Sequence, residues 1–154
     1  MLTKYNKVIF VCTGNTCRSP MAETIYKSLD VDSDRKVVSR GLVVLFPEPA
    51  NPKAEMVLNN HNLELSNHVT KGLKRNDITE DTLILTMTEQ QKRQVIEAYE
   101  VANQVYTITE FVGEIGDVSD PYGGTLIDYE HCFVELARLV KKTVYKLNDE
   151  ESLM

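Results

Sequence analysis

The chain has 154 residues, of which 42% are apolar and 26% charged, and this composition is typical of one globular domain with a sizeable core. Its net charge of −6 argues against nucleic acid or an acidic membrane as the main partner. The three cysteines argue against a disulfide framework, the three histidines lack zinc-ligand spacing, and the N-terminus lacks an apolar signal core, so we predict a cytoplasmic protein.

The N-terminal segment predicts a strand, a loop and a helix. The β-branched run 8–11 is typical of a buried strand, and it ends at Cys12. After a polar loop, Ser19 is suited to cap a helix and Pro20 to occupy its first position. The core face of this helix is predicted to carry Met21, Ile25 and Leu29.

The middle of the chain repeats the alternation of strand and helix. A second strand is predicted near 37–39, followed by a loop over 41–49. Asn51 and Pro52 predict the start of a helix that runs to about Asn60. The segment 82–86 predicts a third strand, which has the clearest pattern after the first.

The following segment carries two signatures of helix starts. Thr88 and Gln91 form a predicted capping box for a helix after the third strand. A fourth, short strand is predicted over 105–108, and Thr107 with Glu110 is suited to cap a short helix just after it.

A long connection and a long helix complete the chain. The connection, 113–124, contains four glycines and ends in DPYGG. The last helix is predicted to start near Thr125, and the polar segment 149–154 is predicted to fray. The core stripe of this helix is predicted to be Phe133, Leu136, Val140, Val144 and Leu147.

Strands alternate with helices throughout, so the sequence predicts a single α/β domain over 1–154. Its expected form is a small doubly wound sheet, Rossmann-like or flavodoxin-like, with four parallel strands and helices on both faces. Such folds bind ligands beyond the carboxyl ends of their strands. Cys12 lies at such an end, and so does the DPYGG segment if the fourth strand precedes it.

The loop from Cys12 to Arg18 has the features of a phosphate site. A helix N-terminus presents unpaired N–H groups and partial positive charge. Gly14 allows the loop to curl so that further N–H groups point inward, and Arg18 adds a planar fork that matches two phosphate oxygens. A Walker-type ATP loop is excluded, because no Gly-Lys-Ser/Thr follows.

Cys12 is expected at the floor of this cradle, where the field that attracts phosphate also stabilises a thiolate. A thiolate held about 3–3.5 Å from phosphorus is placed to attack it. Ser19 is expected to donate a hydrogen bond to that sulfur. A lone cysteine at a strand end is more often an inert core residue, but the glycine loop, Arg18 and the Ser-Pro pair favour a nucleophile.

The string VCTGNTCRSPMAE resembles the signature of the low-molecular-weight protein tyrosine phosphatases, and the resemblance extends along nearly the whole chain to DPYGG. It implies a two-step hydrolysis through a phosphocysteine on Cys12. Asp120 would protonate the leaving group and then activate water, although DPYGG is also a good turn sequence. The phosphate would be bound by Arg18, the loop residues Thr13, Gly14, Asn15, Thr16 and Cys17, and Ser19.

The resemblance also implies supporting roles around the loop. Asn15 matches a residue that shapes the loop, in a left-handed conformation that Asn tolerates. Ser39 and His68 align with residues that hold this Asn, although His68 is almost as readily interpreted as a packing histidine. Cys17 matches a residue that traps oxidised Cys12 as a disulfide, the alternative being a thiol that merely fills the loop.

Two positions indicate the substrate. Thr16 and Gly123 replace bulkier residues of many family members, and both resemble the bacterial branch that acts on phosphoarginine. The Thr16 hydroxyl is suited to accept a guanidinium N–H, and Tyr122 is suited to stack on a planar cation. The segment VVLFPEP (43–49) is expected to supply an apolar wall with Phe46, and Glu48 to pair with the arginine. A phosphotyrosine preference is the alternative.

The phosphate loop is also compatible with other functions. An arsenate reductase of the same fold would need two further cysteines for its disulfide relay, and 86–94 contains none. A phosphocysteine carrier or a phosphate-binding module would need neither Asp120 nor Arg18 at this spacing. Neither a metal nor a cofactor is predicted, because Arg18 and the loop amides are expected to neutralise the phosphate charge. The expected partners are phosphorylated proteins, with inorganic phosphate as the product.

Overall fold

The computed structural model describes residues 4–65 and 67–153, the last four of these by their backbone alone. Its described strands are β1 (Lys7–Cys12), β2 (Lys36–Gly41), β3 (Thr82–Thr86) and β4 (Val105–Thr107). All strand pairs are parallel and the order is β2-β1-β3-β4, which confirms the predicted sheet. The two central strands are buried on both sides, as their continuous apolar runs predict. β2 is longer than predicted at both ends, and β4 is one residue shorter.

Helices cover both faces of this sheet. The described helices are α1 (Arg18–Leu29), α2 (Pro52–Asn60), α3 (Glu89–Tyr99), α4 (Ile108–Phe111) and α5 (Leu126–Leu153), with a 3₁₀ turn at Arg75–Asp77 that was not predicted. The predicted capping boxes at the starts of α3 and α4 are present. Among the described residues, no helix is both long and apolar enough to cross a membrane.

The pleat of β1 divides the core into two layers. Val8, Phe10 and Cys12 face one layer, where α1, α2, α4 and α5 pack. Ile9 and Val11 face the other, where α3 packs through Val95. The predicted stripe of α5, from Phe133 to Leu147, is buried in the first layer. β1 is therefore held rigidly from both faces up to its last residue, Cys12.

Two local predictions are wrong. Helix α1 begins at Arg18 and its N-cap is Cys17, because the Ser19 hydroxyl bonds to Cys12 and Asn15 rather than to the helix N-terminus. Leu29 is exposed, because the buried stripe of α1 ends a turn earlier. The polar segment 149–154, predicted to fray, continues α5 as far as Leu153, and residue 154 lies outside the described part of the chain. Its fraying stays a prediction.

Candidate active site

Three loops meet beyond the carboxyl ends of β1 and β2 and enclose a cavity of about 330 Å³. They are the β1–α1 loop, the β2–α2 loop and the connection that precedes α5. Most of the predicted site residues line this cavity: Cys12, Thr13, Gly14, Thr16, Cys17, Arg18, Phe46, Glu48, Asp120 and Tyr122. Two others, Asn15 and Ser19, lie buried behind the β1–α1 loop and shape it from within.

Asn15 is the centre of a buried hydrogen-bond network. Its φ is 60°, the left-handed conformation predicted for it. Its Oδ1 accepts from the backbone N–H of Lys71 at 3.0 Å, and its Nδ2 donates to Ser19 Oγ at 2.9 Å and to Ser39 Oγ at 3.0 Å. The ring Nε2 of His68 donates to the Asn15 carbonyl at 2.9 Å. Ser39 and His68 therefore lie where the resemblance implies, and they hold the loop through Asn15.

This network determines the direction of the hydrogen bond to Cys12. Ser19 Oγ lies 2.9 Å from Cys12 Sγ and accepts a hydrogen bond from Asn15 Nδ2. Because the Asn15 amide is oriented by the Lys71 N–H on its oxygen, its nitrogen must be the group that faces Ser19. The Ser19 proton is then free to donate to the sulfur. Cys12 is thus placed as an acceptor, which suits a thiolate.

Arg18 is buried at the first position of α1. Its Nη1 donates to the Val118 carbonyl at 2.9 Å, and its Nη2 lies 3.5 Å from Asp120 Oδ2. A buried guanidinium is costly unless it is paired, and these two partners come from the same connection before α5. Val118 is itself tied to the end of β3, because its N–H donates to the Met87 carbonyl at 2.9 Å. The connection before α5 therefore holds the Arg18 guanidinium in a fixed position at the cavity.

Asp120 is the first residue of a turn, as DPYGG predicts, and its side chain also reaches the cavity. Its Oδ1 accepts from the Tyr122 N–H at 3.0 Å, and Gly123 has a φ of 81°. Lys53 of α2 donates to the Gly124 carbonyl at 2.6 Å and so attaches the turn to the body of the protein. The second carboxylate oxygen of Asp120 remains at the cavity mouth, beside Arg18.

Cys17 is a second buried thiol of the same loop. Its sulfur lies 3.4 Å from the Tyr129 hydroxyl and 3.7 Å from Thr16 Oγ1. Burial raises the pKa of the Cys17 thiol above its ordinary value, and the hydrogen bonds from Tyr129 and Thr16 only partly oppose this. Cys17 is therefore a neutral thiol at pH 7, in contrast to the acceptor role that the network gives Cys12.

The β2–α2 loop forms an apolar rim on the cavity, made of Val43, Val44, Leu45 and Phe46. The rim is fixed to the β1–α1 loop, because Leu42 N–H donates to the Cys12 carbonyl and Val43 N–H to the Thr13 carbonyl. The sequence predicts this apolar wall from the segment 43–49, with Phe46 singled out as a substrate contact. All four rim residues belong to that segment.

Gln91 is a residue near the site whose position was not foreseen. The sequence predicts it only as the third residue of the α3 capping box, yet its Nε2 also donates to Thr13 Oγ1 at 3.1 Å. No signal in the sequence indicates this contact, because it depends on how closely β1 and β3 align at their carboxyl ends. Among the described residues, no group of three or more His, Cys, Asp or Glu side chains is placed to hold a metal ion.

Comparison with known proteins agrees with this geometry. The family model for low molecular weight phosphotyrosine protein phosphatases matches residues 7–153. The low molecular weight protein-tyrosine-phosphatase PtpB of Staphylococcus haemolyticus is 41% identical over 136 residues, which are 88% of this chain and 96% of that protein. The PtpB of Staphylococcus aureus is 38% identical over 139 residues, covering 88% and 95%.

Solved structures extend the comparison. A low molecular weight protein tyrosine phosphatase from T. tengcongensis has a TM-score of 0.86 and 40% identity, over 91% of this chain and 98% of that one. The YwlE arginine phosphatase of Geobacillus stearothermophilus has a TM-score of 0.88 and 34% identity, over 94% of both chains. A cysteine-to-serine mutant of YwlE arginine phosphatase, solved with a phosphorylated active-site serine, has a TM-score of 0.87 and 35% identity over 96% and 99%. The match over almost the whole chain and the convergence of the signature residues on one cavity lead to one conclusion: this chain belongs to the low-molecular-weight protein tyrosine phosphatase family, whose members are cysteine-dependent protein phosphatases.

Proposed function

We propose that this protein removes phosphate from phosphoarginine residues of other proteins, through a phosphocysteine on Cys12. The observation that carries the chemistry is that two side-chain pairs meet at one cavity, which Cys12, Arg18 and Asp120 line and which Ser19 supports from behind. One pair is Cys12 and Ser19, joined at 2.9 Å, and the other is Arg18 and Asp120, at 3.5 Å. Nucleophile, anion-binding cation and proton donor are thereby within one substrate's reach.

The proposed first step transfers the phosphoryl group to sulfur. The Cys12 thiolate attacks phosphorus, the S–P bond forms, and the P–N bond to the substrate guanidine breaks. Asp120 gives its proton to the departing nitrogen, which leaves as a guanidinium. Arg18 and the backbone amides of the loop from Thr13 to Cys17 bind the three equatorial oxygens. Asn15 contributes through the shape of the loop, since its side chain is committed to Ser19, Ser39 and Lys71.

The second step restores the enzyme. The Asp120 carboxylate takes a proton from water, and the resulting nucleophile attacks the phosphorus of the phosphocysteine. The S–P bond breaks, inorganic phosphate leaves, and the Ser19 hydroxyl donates to the sulfur as its negative charge returns. The carboxyl of Asp120 is then protonated for another cycle.

Several features support an arginine substrate. Thr16 lines the cavity and presents a hydroxyl that accepts an N–H, which an aliphatic residue would not. Glu48 and Tyr122 line the same cavity, and they are suited to pair with and stack on a guanidinium. Two structural relatives are named arginine phosphatases. Gly123 adds less than expected, because its positive φ by itself accounts for a glycine in the turn.

The test compares kcat/KM for peptides that carry phosphoarginine or phosphotyrosine in the same flanking sequence. We expect the wild type to prefer phosphoarginine, and Thr16→Ile to shift the ratio toward phosphotyrosine, while Thr16→Ser retains it. Cys12→Ser should abolish turnover of both. A wild-type preference for phosphotyrosine of tenfold or more would refute the arginine assignment and leave a tyrosine phosphatase.

We also propose a cytoplasmic protein with redox protection of its nucleophile. The free cysteines Cys12, Cys17 and Cys132 suit a reducing compartment. When peroxide oxidises Cys12 to a sulfenic acid, attack by the Cys17 sulfur would release water and form a disulfide. Both cysteines line the same cavity, which supports this role for Cys17.

A further inference from the structure

The side chain of Gln91, in the first turn of α3, is buried against the β1–α1 loop, which is called the phosphate loop below. Although it is a long polar side chain, the residue is only 3% exposed. Its Oε1 accepts two backbone N–H groups, from Met87 at 2.9 Å and from Thr88 at 3.1 Å. Its Nε2 donates to Thr13 Oγ1 at 3.1 Å. One amide thus joins the end of β3, the start of α3 and the residue that follows Cys12.

These contacts determine the orientation of both groups. Because two N–H donors occupy Oε1, the amide has one possible orientation and its nitrogen must face Thr13. An amide nitrogen only donates, so Thr13 Oγ1 must be the acceptor. The Thr13 proton is therefore directed away from Gln91, and among the described residues no protein oxygen is found to accept it.

The same arrangement occurs on the other side of Cys12. There, the amide of Asn15 is oriented by a backbone N–H, donates to Ser19 Oγ, and leaves the Ser19 proton for Cys12. In each case a buried amide N–H donates to the hydroxyl oxygen, so the hydroxyl proton is left to donate to another group. Ser19 faces the sulfur, whereas Thr13 lines the cavity in front of it.

We propose that the Thr13 hydroxyl donates a hydrogen bond to an oxygen of the bound phosphoryl group, and that Gln91 is the positioning residue that enforces this direction. The proposal rests on the proposed function, since it assigns a donor to the same cavity. The cavity position of Thr13, next to Cys12 and Arg18, and its single amide partner carry it. A hydrogen bond that strengthens as charge develops on the oxygens would act mainly on kcat.

The decisive variant is Gln91→Glu. A glutamate at the third position of a capping box keeps both acceptor contacts, so the start of α3 remains intact. It lacks the N–H₂ group, and the introduced carboxylate would attract the Thr13 proton and reverse the hydrogen bond. We expect kcat for para-nitrophenyl phosphate to fall about tenfold, with little change in unfolding free energy. Thr13→Val should lower it by roughly 10- to 100-fold, and Thr13→Ser should restore most of the loss.

A double-mutant cycle separates the effect of Gln91 on the direction of the Thr13 hydrogen bond from a general effect of the new charge. In the Thr13→Val background, Gln91→Glu should change kcat by less than about twofold, because no hydroxyl remains to redirect. The same reduction factor in both backgrounds would overturn the proposal, as would unchanged kcat in Gln91→Glu or in Thr13→Val.

A second readout does not depend on turnover. The affinity for orthovanadate, measured by calorimetry, should fall in each single variant and show the same coupling. If wild type hydrolyses no phosphoryl substrate, the proposed function fails, whereas the vanadate cycle still decides whether Thr13 donates to a bound oxyanion. Equal vanadate affinities in wild type and both variants would refute the proposal that Gln91 directs the Thr13 hydroxyl toward a bound oxyanion.

Discussion

The guanidinium Nη2 of Arg18 lies 3.5 Å from Asp120 Oδ2, and the two side chains differ sharply in exposure, at 6% and 52%. The cation is held by the interior of the protein, and the carboxylate stands at its surface. In the proposed mechanism, such a pair keeps the phosphate-binding group fixed while the acid can reach both a leaving group and water. The geometry therefore suits a residue that exchanges protons in two successive steps.

Asp120→Asn should reduce kcat most for substrates with poor leaving groups. Asn retains the oxygen that accepts the Tyr122 N–H, so the turn persists while the proton donor is lost. We expect a decrease of roughly 10²- to 10⁴-fold with phenyl phosphate and a smaller one with para-nitrophenyl phosphate. Asp117→Asn is the control, because Asp117 accepts from the Glu89 N–H and does not line the catalytic cavity. A decrease independent of the leaving group would argue against the acid role.

Gly41→Ala should disturb the phosphate loop from behind. A Cβ on Gly41 would lie 3.0 Å from Asn15 Cβ, 3.1 Å from the Gly14 carbonyl carbon and 2.7 Å from a Val44 methyl. We expect unfolding free energy to fall by about 1–3 kcal/mol and kcat/KM to fall with it. Gly72→Ala is a matched control, since its Cβ would meet nothing closer than 4.0 Å and should leave both quantities nearly unchanged. Equal effects of the two substitutions would contradict this account.

Much of the fold follows from local pattern, and the exceptions have tertiary causes. β3 has the predicted bounds because five consecutive buried residues form an unambiguous run, and the start of α3 has its predicted cap because Thr88 and Gln91 satisfy each other locally. Ser19 was predicted as a helix cap for equally local reasons, but Asn15 and Cys12 compete for its hydroxyl.

The site residues also differ in how well the sequence predicts them. Cys12 and Arg18 lie in one short segment, so loop chemistry alone indicates them. Asp120 comes from a distant connection without periodicity, and only the resemblance to a family implied its role. Neither loop chemistry nor the family resemblance predicted the contact between Gln91 and Thr13, because this contact depends on strand alignment and on no motif.

Cys17→Ser should convert reversible oxidation into irreversible loss of activity. In wild type, peroxide followed by dithiothreitol should restore hydrolysis, and intact mass should show a loss of two hydrogens for the disulfide. Because burial raises the pKa of Cys17, disulfide closure should become faster as the pH rises from 7 to 9. Cys132→Ala is the control and should behave as wild type. Full recovery of Cys17→Ser after peroxide would exclude the protective role.

Leu45→Ser should weaken the hydrolysis of phosphorylated proteins and spare small substrates. Leu45 is 87% exposed on the cavity rim, where an apolar side chain of a bound polypeptide would cover it. Loss of that burial predicts a decrease of about tenfold in kcat/KM for a phosphopeptide with apolar flanking residues. Activity toward para-nitrophenyl phosphate should not change. Met56→Ser, an exposed apolar position on α2 that does not line the cavity, should affect neither substrate. A similar loss on the small substrate would mean that the substitution distorts the loop.

Cys132→Ala should make stability less sensitive to alkaline pH. Burial raises the pKa of Cys132 to about 12, against an ordinary value of about 8.5 for an unfolded thiol. Above the unfolded value, the unfolded chain loses this proton while the folded chain keeps it, so the fold loses about 1.4 kcal/mol per pH unit from this group until the folded pKa is reached. Urea unfolding at pH 8 and pH 10.5, with reductant present, should therefore show a shallower decline in the variant. Val134→Ala, an exposed substitution on the same helix, should decline as wild type does, and identical slopes in all three proteins would show that the Cys132 proton is not linked to folding.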